Sequence, residues 1–437
     1  MTSTDGLRLR PFRGLRYAPD RVSNLTAVTS PPYDVVVRPE GVRHLETADP
    51  YNIVRLILPH AADPSARHRQ AADTLRRWRA EGVLRPDPEP ALYVYEQRAG
   101  EVLQRGLIGA LCLDGPVLPH EDVIPEVVED RAALMRAAAA NFEPLLLSYR
   151  GRNAANGATA VIERVVEGHP LLTTTTEDGF RHRLWAVTDP ADLAAIDADL
   201  AHRQALIADG HHRWATYQRL YEQQPGAGAD SPWASGLVLL VDTDRYPLQV
   251  RAIHRVLPHL PPAKALADLD GVFRSRTLTG GPSAALEALE ETPGTAFVLA
   301  GEPGVFHLLD RPDPGLLDRT IRRDRPEAWR RLDATVLHSV LLDEVWHIPD
   351  HPSDINYLHH PEAAVEQAVR QGGTAVLMRA TSEETVRQLA ECGVTMPRKS
   401  TSFGPKPATG LVLRILDESD DGTVDESGIH PLNKSDN

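Results

Sequence analysis

The 437-residue chain has room for two or three domains, and its 42% hydrophobic and 25% charged residues are typical of a soluble globular protein. The net charge of -14 disfavours binding to nucleic acid or to an anionic membrane. Two cysteines, Cys112 and Cys392, are too few for a disulfide framework or a four-cysteine zinc site. Because the sequence shows no signal-like N-terminus and no apolar run of the ~20 residues that span a membrane, we expect a cytoplasmic protein.

The first half of the chain mixes helices and strands. Apolar residues at helical spacing predict a helix in "ARHRQAADTLRRWRAEGVL" from Ala66, and two β segments around Ala99-Gly100 predict a hairpin. An Ala-rich helix is expected from about Val127 to Ala140, and an apolar strand follows at Pro144–Ser148.

The second half continues this alternation. A strand is expected to end at Leu206–Ala208, and "GLVLLV" at Gly236–Val241 predicts a buried strand. Helical spacing predicts one long helix in "AWRRLDATVLHSVLLDEVW" from Ala328. The segment "AVEQAVRQGGTAVLMRATSEETVRQLAECGV" from Ala364 predicts a helix, a strand and a second helix. Alternation of this kind predicts an α/β or α+β protein with mixed sheets.

The stretch "LIADGHHRWATYQRL", residues 206–220, joins a strand end to a helix. Asp209 and Gly210 are therefore expected at a strand-to-helix turn, where glycine permits close approach of a ligand and the first N–H groups of the helix attract an anion. In the first helical turn, His211, His212 and Arg213 are donors for phosphate oxygens, which predicts a phosphate site. On the residues alone two alternatives remain: a helix capped by Asp209 with solvated histidines, and a zinc site, which neighbouring helical positions disfavour because they diverge.

A second polar cluster, "LPHEDVIPE", places His120 and Glu121 between an apolar strand and a helix. A carboxylate beside an imidazole suits a general base for a hydroxyl nucleophile, or a ligand of Mg²⁺. The alternative is an acidic loop at the entry of a helix.

A third cluster, "MPRKSTSFGPKPATG" from Met396, crowds cations and hydroxyls between prolines and glycines. Such a loop suits phosphate binding, and a solvated loop is the alternative. Near the N-terminus, "SPPYDVV" places Asp34 in a Pro-defined turn, where we expect a structural rather than a catalytic role.

Taken together, these stretches resemble a known family. "SPPYDVV", "ALYVYE", "PHEDVIPEVVEDR", "IADGHHRWATY" and "MPRKSTSFGPKPATGL" resemble, in order, the landmarks of the family called domain of unknown function 1015, over nearly the whole chain up to about Arg414. Three landmarks also resemble those of the free serine kinases, whose fold is related to the nucleotide-binding domain of the chromosome-partitioning protein ParB. The matching segments are Pro119–Glu121, Asp209–Ala215, and Glu383–Val386 leading to Lys399–Thr401.

The resemblance implies roles residue by residue. Glu121 would be the catalytic base that activates the acceptor hydroxyl, and Asp209 would assist at the reacting centre or through Mg²⁺. The residues expected to hold the nucleotide phosphates are Gly210, His211, His212, Arg213, Lys399 and Thr401. The residues expected to support the site are His120, Ser400, Arg379 and Lys406.

Two features depart from these patterns. Asp209 lies 88 residues after Glu121, much farther than in the compact kinases. Val123 and Val127 stand where the usual family pattern has Thr and Lys. The phosphoryl acceptor could therefore differ from serine even where phosphoryl transfer is retained.

We therefore expect a small-molecule kinase that transfers a phosphoryl group from ATP or ADP to the hydroxyl of free L-serine or a similar hydroxy amino acid, with Mg²⁺ as cofactor. A phosphoserine phosphatase at the same site, or a ParB-like nucleotide-binding switch without turnover, are the alternatives. The expected partners are a nucleotide and a small-molecule substrate, without nucleic acid or membrane, and the sequence leaves a homodimer open.

The predicted organisation has four parts. Residues 1–115 form an N-terminal α/β region, and residues 116–257 form a ParB/sulfiredoxin-like nucleotide-binding module. Residues 258–416 form a C-terminal α/β region with the basic loop. Residues 417–437, rich in acidic side chains, are expected to be a disordered tail.

Overall fold

The computed structural model describes residues 6–36, 39–61, 63–152, 157–224, 228–351 and 353–417. Within these ranges strands and helices alternate along the chain, which confirms the predicted mixed α/β class. The predicted acidic tail lies outside the described residues, apart from Asp417. Among the described helices, none combines the length and the apolar character that crossing a bilayer requires.

The strands are β1 (Leu9–Arg10), β2 (Gly14–Tyr17), β3 (Leu84–Pro86), β4 (Leu92–Ala99), β5 (Val102–Cys112), β6 (Val117–Leu118), β7 (Ala140–Asn141), β8 (Leu145–Tyr149), β9 (Leu172–Thr175), β10 (Arg181–Val187), β11 (Ala205–Asp209), β12 (Ser235–Asp242), β13 (Gln249–Arg251), β14 (His254–Leu257), β15 (Arg274–Leu278), β16 (Phe297–Glu302), β17 (Val305–Asp310), β18 (Asn356–Leu358), β19 (Thr374–Leu377), β20 (Ser402–Gly404) and β21 (Leu413–Ile415).

The α-helices are α1 (Leu25–Val28), α2 (Pro39–Ala48), α3 (Val54–Ile57), α4 (Pro64–Ala80), α5 (Pro125–Ala138), α6 (Ala158–Val165), α7 (Pro190–Leu200), α8 (His211–Glu222), α9 (Pro262–Ala267), α10 (Pro282–Glu290), α11 (Pro314–Thr320), α12 (Glu327–Arg330), α13 (Asp333–Val336), α14 (Pro361–Gln371) and α15 (Glu383–Glu391). A 3-10 turn covers Pro232–Ala234, and a π-helix covers Leu337–Val345.

A nine-stranded mixed sheet forms the centre of the molecule. Its order is β6-β11-β8-β12-β5-β4-β10-β9, and β1 pairs with β5. The pairs β6/β11 and β8/β12 are parallel, while the other neighbours are antiparallel. This sheet draws strands from both predicted regions, 1–115 and 116–257, so the division into domains stays a prediction.

Both faces of this sheet are buried, as β12 shows. Leu237, Leu239 and Val241 point into one apolar cluster, and Val238 and Leu240 point into another. Side chains of a strand alternate between faces, so a continuous apolar run such as "GLVLLV" is what a strand covered on both sides requires. The first cluster continues into the C-terminal region, and the second is covered by helices that include α6, α7 and α8.

Three smaller sheets complete the fold. The C-terminal region contains a six-stranded sheet of order β15-β17-β16-β19-β14-β18. Four short strands in the order β3-β2-β21-β7 join the N-terminal segment to the end of the described chain. The third sheet is the pair β13/β20. Because β13 follows β12 of the central sheet along the chain, this pairing holds the loop around residue 400 close to the central sheet.

Two sequence predictions have different outcomes here. The hairpin around Ala99-Gly100 is confirmed, since β4 and β5 pair from Tyr93 to Ala99. The single helix predicted from Ala328 is wrong, because the chain is extended at Leu332, which separates α12 from α13 and from the π-helix that continues α13. The break puts Asp333 in the first turn of a new helix, where a carboxylate is favourable, and there it pairs with Arg379.

Candidate active site

Two of the predicted clusters meet because their strands are neighbours. β6 and β11 are parallel, and Leu118 pairs with Leu206. Their carboxyl ends therefore lie at the same edge of the sheet, where Glu121 and Asp209 follow. The 88 residues between these two carboxylates are consequently no obstacle to a shared site.

The turn between β11 and α8 has the predicted form. Gly210 precedes α8 with φ 101°, a left-handed conformation that side chains other than hydrogen rarely adopt. A Cβ atom on Gly210 would lie 2.8 Å from Cγ of Leu145. Glycine is therefore required for both the backbone conformation and the close packing against β8.

The two histidines of the turn hold the Glu121 loop. The Nε2 atom of His211 accepts a hydrogen bond from the His120 N–H at 3.2 Å, and Nε2 of His212 accepts from the Ile124 N–H at 3.0 Å. Both roles require a neutral imidazole, and burial lowers the pKa of each histidine. In this arrangement the pair orients the loop that carries Glu121, and their predicted contact with phosphate stays a prediction.

Glu121 itself is a partly buried carboxylate with a free acceptor. Its Oε1 atom is buried and has no hydrogen-bond partner among the described residues. Burial raises the pKa of Glu121 to about 7; the charge of Lys399 opposes this rise, and the charge of Asp209 adds to it. A carboxylate with a pKa near neutrality is well matched to general-base catalysis.

Asp209 lies between two cations. Its Oδ1 atom is 2.6 Å from Nζ of Lys406, and its Oδ2 atom accepts from Nη2 of Arg213 at 2.8 Å. Burial alone would raise the pKa of Asp209, but Lys406 and Arg213 outweigh it, so the pKa is lowered and the group is ionised. Asp209 therefore anchors the cations of the site.

Arg213 is buried behind the turn. Its Nη1 atom donates to the Pro144 carbonyl at 3.3 Å and lies 4.0 Å from Oε2 of Glu143. Its guanidinium also stacks on the Tyr33 ring, 5.6 Å from the centroid. With these contacts Arg213 adds a buried positive charge to the site. Its direct hydrogen bond to a phosphate stays a prediction.

The N-terminal motif contributes a residue that the sequence left in a structural role. Asp34 forms an ion pair with Lys406, which thereby bridges Asp34 and Asp209. The backbone N–H of Tyr33 donates to Glu143 at 2.9 Å, which ties the same loop to the Arg213 side of the site. No local signal in the sequence indicates this role of Asp34. Its partner, Lys406, lies 372 residues later in the chain, and residue spacing does not reveal such a pair.

The C-terminal loop contacts the loop that carries Glu121. The N–H of Met396 donates to the His120 carbonyl at 2.8 Å, and Oγ1 of Thr401 lies 3.1 Å from Nε2 of His120. Lys399 is exposed, with φ 56°, and has no ion-pair partner in the part of the chain that the structure describes. Its charge acts on both Glu121 and Asp209, so Lys399 is a cation available to a ligand.

Side chains of the central sheet fix the position of Lys406. Nε2 of Gln97 and Nε2 of Gln104 both donate to the Pro405 carbonyl, at 3.0 and 3.2 Å. The Tyr95 hydroxyl accepts from the Ala408 N–H at 3.1 Å. The lysine is thus held between two residues whose backbone groups are fixed.

The remaining predicted positions differ in their placement. Ser400 is buried in the C-terminal loop, and its hydroxyl donates to the Pro397 carbonyl. Arg379 is not brought to the cluster: it pairs with Asp333 at 2.8 Å and donates to the Thr292 carbonyl at 2.7 Å. Its contacts therefore stabilise the C-terminal region.

The predicted Mg²⁺ ligand does not fit that role in this arrangement. Both oxygens of Asp209 are bound by cations, as described above. Within the described ranges, no group of three or more His, Cys, Asp or Glu side chains is arranged to hold a metal ion. We therefore assign no catalytic step to Mg²⁺.

The fold and the site together define a mixed α/β protein with two partly buried carboxylates, Glu121 and Asp209, among lysine and arginine side chains. The chain belongs to the family described as "Protein of unknown function (DUF1015)", whose model matches residues 9–335. No curated protein matches the sequence.

Three solved structures show a distant likeness. A mutant free serine kinase in complex with ADP is 17% identical, with a TM-score of 0.37 and coverage of 72% of this chain and 94% of that chain. SbnI with a C-terminal truncation, from Staphylococcus aureus, is 10% identical, with a TM-score of 0.36 and coverage of 72% and 90%. A conserved hypothetical protein from Pyrococcus furiosus is 17% identical, with a TM-score of 0.33 and coverage of 68% and 89%.

Proposed function

We propose that this protein is a phosphotransferase that moves a phosphoryl group from ATP or ADP to the hydroxyl of free L-serine or a similar hydroxy amino acid. The observation that carries the proposal is Glu121: a partly buried carboxylate with a free Oε1 atom and a pKa of about 7, on which the charges of Lys399 and Lys406 act. A general base beside fixed cations is what phosphoryl transfer to a hydroxyl requires.

The residues divide the chemical work between them. Glu121 accepts the proton of the acceptor hydroxyl as its oxygen forms a bond to the terminal phosphorus of the nucleotide. The bond between that phosphorus and the bridging oxygen breaks, and ADP or AMP leaves with the bonding electrons. Lys399 faces solvent near the carboxylates and neutralises charge on the phosphoryl group, while the N-terminus of α8 favours an anion.

The alternative function, a nucleotide-binding switch, accounts for the cations and for the N-terminus of α8, but it assigns no role to Glu121. A carboxylate that is costly to bury, without a hydrogen bond to its Oε1 atom, is better explained by proton transfer. The observation therefore favours turnover over a switch.

The test replaces the base without removing its shape. Glu121→Gln should lower turnover of a hydroxy amino acid at least about 100-fold, because the amide cannot accept the proton. Affinity for ADP, measured by calorimetry, should stay within about threefold, because charge on the phosphates is met by other residues. Glu126→Gln, an exposed change in the first turn of α5, is the matched control and should leave both quantities unchanged.

Unchanged turnover in Glu121→Gln would remove Glu121 from the mechanism. A parallel loss of ADP affinity would instead assign Glu121 to nucleotide binding.

A further inference from the structure

Arg255, on β14, is a buried cation that the site described above does not use. Its side chain is 0% exposed, which places it among the largest fully buried side chains of the protein. Nη2 lies 3.1 Å from Nε2 of His338, and Nη1 donates to the Ile253 carbonyl and to Sδ of Met378, the latter at 3.2 Å. Nε has no partner, and no carboxylate of the described residues is in ion-pair contact with the guanidinium.

Other buried arginines show how unusual this is. Arg213 pairs with Asp209, and Arg387 pairs with Glu383 at 3.0 Å. Arg414 lacks an ion-pair carboxylate among the described residues, but it donates to four oxygens: Oδ1 of Asn141, the Ser235 carbonyl, Oγ of Ser235 and the Pro232 carbonyl. The guanidinium of Arg255 has only three hydrogen-bond acceptors: one carbonyl oxygen, one sulfur and one imidazole nitrogen. A buried guanidinium so poorly satisfied is costly unless an anion joins it.

The surroundings of Arg255 connect it with the base. Tyr357, then Asp350 and then Glu121 are close enough for their charges to act on Arg255. Asp350 in turn pairs with Arg398, which precedes Lys399 in the C-terminal loop. His338 lies on the π-helix Leu337–Val345, an irregularity that is frequent at functional sites. Burial lowers the pKa of His338 to about 4, so this imidazole is neutral and accepts from Arg255 with Nε2.

We propose that Arg255 and His338 form a subsite for the carboxylate of the acceptor, a small hydroxy acid or hydroxy amino acid whose hydroxyl lies at Glu121. A planar guanidinium binds a carboxylate through two donors, which matches a small acid better than a single ammonium would. This subsite rests on the proposed function and specifies its substrate class.

Tyr357 covers the subsite. Its ring lies 5.1 Å from the guanidinium carbon of Arg255, and its hydroxyl donates to Oδ1 of Asp350 at 2.7 Å. Asp350 is in turn 3.4 Å from Nη2 of Arg398, which precedes Lys399 in the C-terminal loop. Binding of a carboxylate to the guanidinium requires this ring to shift. Tyr357 lies on β18, a three-residue strand at the edge of its sheet.

The test compares acids with their amides by calorimetry on the full chain, without turnover. The probes are L-serine, L-threonine, L-homoserine and D-glycerate, each beside its amide. The wild type should bind at least one acid about tenfold or more tightly than its amide, because the charge-assisted pair is lost in the amide. Arg255→Met should remove that preference, and Arg255→Lys should reduce it.

Arg414→Lys is the matched control for Arg255→Lys, since Arg414 is also a buried arginine and donates to four oxygens, and it should keep the preference. Circular dichroism and the Tm establish that each variant is folded. If Arg255→Met does not fold, the subsite is tested by the comparison of acid with amide binding in the wild type and in Arg255→Lys.

Equal binding of acids and amides by the wild type, or an unchanged preference in Arg255→Lys and Arg255→Met, would overturn the subsite. Binding of none of the four acids would overturn it as well. A loss of ADP affinity in Arg255→Met with acid binding intact would assign Arg255 to a phosphate instead. Acid binding through Arg255 without any phosphoryl transfer would keep the subsite and remove the kinase function, so the two failures are distinguishable.

Discussion

At the scale of single residues, the environment of Glu121 matters more than its identity. An exposed glutamate is ionised at neutral pH and is a weak base, whereas burial beside Asp209 raises the pKa of Glu121 to about 7. The neutral imidazoles of His211 and His212 fix the backbone on which this carboxylate stands. The pKa of the proposed base is therefore raised by burial, and its loop is oriented by two histidines.

This tuning predicts a pH dependence. The base must be ionised, so kcat/KM for the hydroxy amino acid should rise tenfold per pH unit below an apparent pKa of about 7 and reach a plateau above it. Steady-state rates between about pH 5.5 and 8.5 measure this limb. A profile that is flat, or that falls as the pH rises through this range, would show that Glu121 is not the group that titrates.

Residue types, motif order and the resemblance to the free serine kinases predicted that Glu121, Asp209 and the lysines of the C-terminal loop would come together. The structure brings them into one cluster, and their roles stay predictions. Residue types and motif order were insufficient for Asp34 and Arg255. Asp34 pairs with a lysine 372 residues later, and the importance of Arg255 depends on burial between β14 and the π-helix. Local sequence records neither of these long-range relations.

At the scale of elements, the β11–α8 turn sets the geometry of the site. Gly210 has a left-handed backbone, and α8 begins one residue later with the two histidines that bind the Glu121 loop. The turn was predictable, since a short apolar strand, an Asp-Gly pair and helical spacing are local signals. The break at Leu332 in the segment from Ala328 was not predictable, because the helical spacing runs through it, and the partner of the next residue, Asp333, is Arg379, 46 residues away.

Gly210→Ala should therefore damage both stability and activity. The added Cβ meets Leu145 at 2.8 Å and the backbone is strained at φ 101°, so we expect a loss of about 1–3 kcal/mol in the free energy of unfolding, or more. Denaturant titration measures the loss. Gly281→Ala is the control, because φ is -92° there and no atom lies within 4 Å of the new Cβ. Equal stability of the two variants would contradict this view of the turn.

At the scale of the whole molecule, the site joins distant parts of the chain. Lys406, near the C-terminal end of the described chain, bridges Asp34 of the N-terminal motif and Asp209 of the central sheet. The mixed α/β class was predictable from the alternation of elements. The sharing of one sheet by the first two predicted regions was not, because strand pairing over long separations leaves no local pattern.

Lys406→Met should destabilise the protein by about 3 kcal/mol, because it leaves two partly buried carboxylates without their shared cation. The pKa of Asp209 is lowered in the folded state, so its charge stabilises the fold at neutral pH and this contribution disappears as the pH falls. The difference in Tm between wild type and variant should narrow below about pH 4. Lys264→Met, which removes an exposed pair with Asp268, is the control and should change stability by less than about 1 kcal/mol. A Lys406 variant as stable as this control would contradict the bridging role.

The central claim is that the Glu121 site transfers a phosphoryl group to a small hydroxyl acceptor. Phosphorus NMR of the wild-type protein with Mg²⁺, ATP or ADP, and a panel of free hydroxy amino acids tests it most directly. We predict a new phosphate monoester resonance with at least one acceptor, formed together with ADP or AMP and absent with Glu121→Gln. Tight nucleotide binding without any phosphorylated product, for every donor and acceptor, would contradict the claim and favour a nucleotide-binding switch.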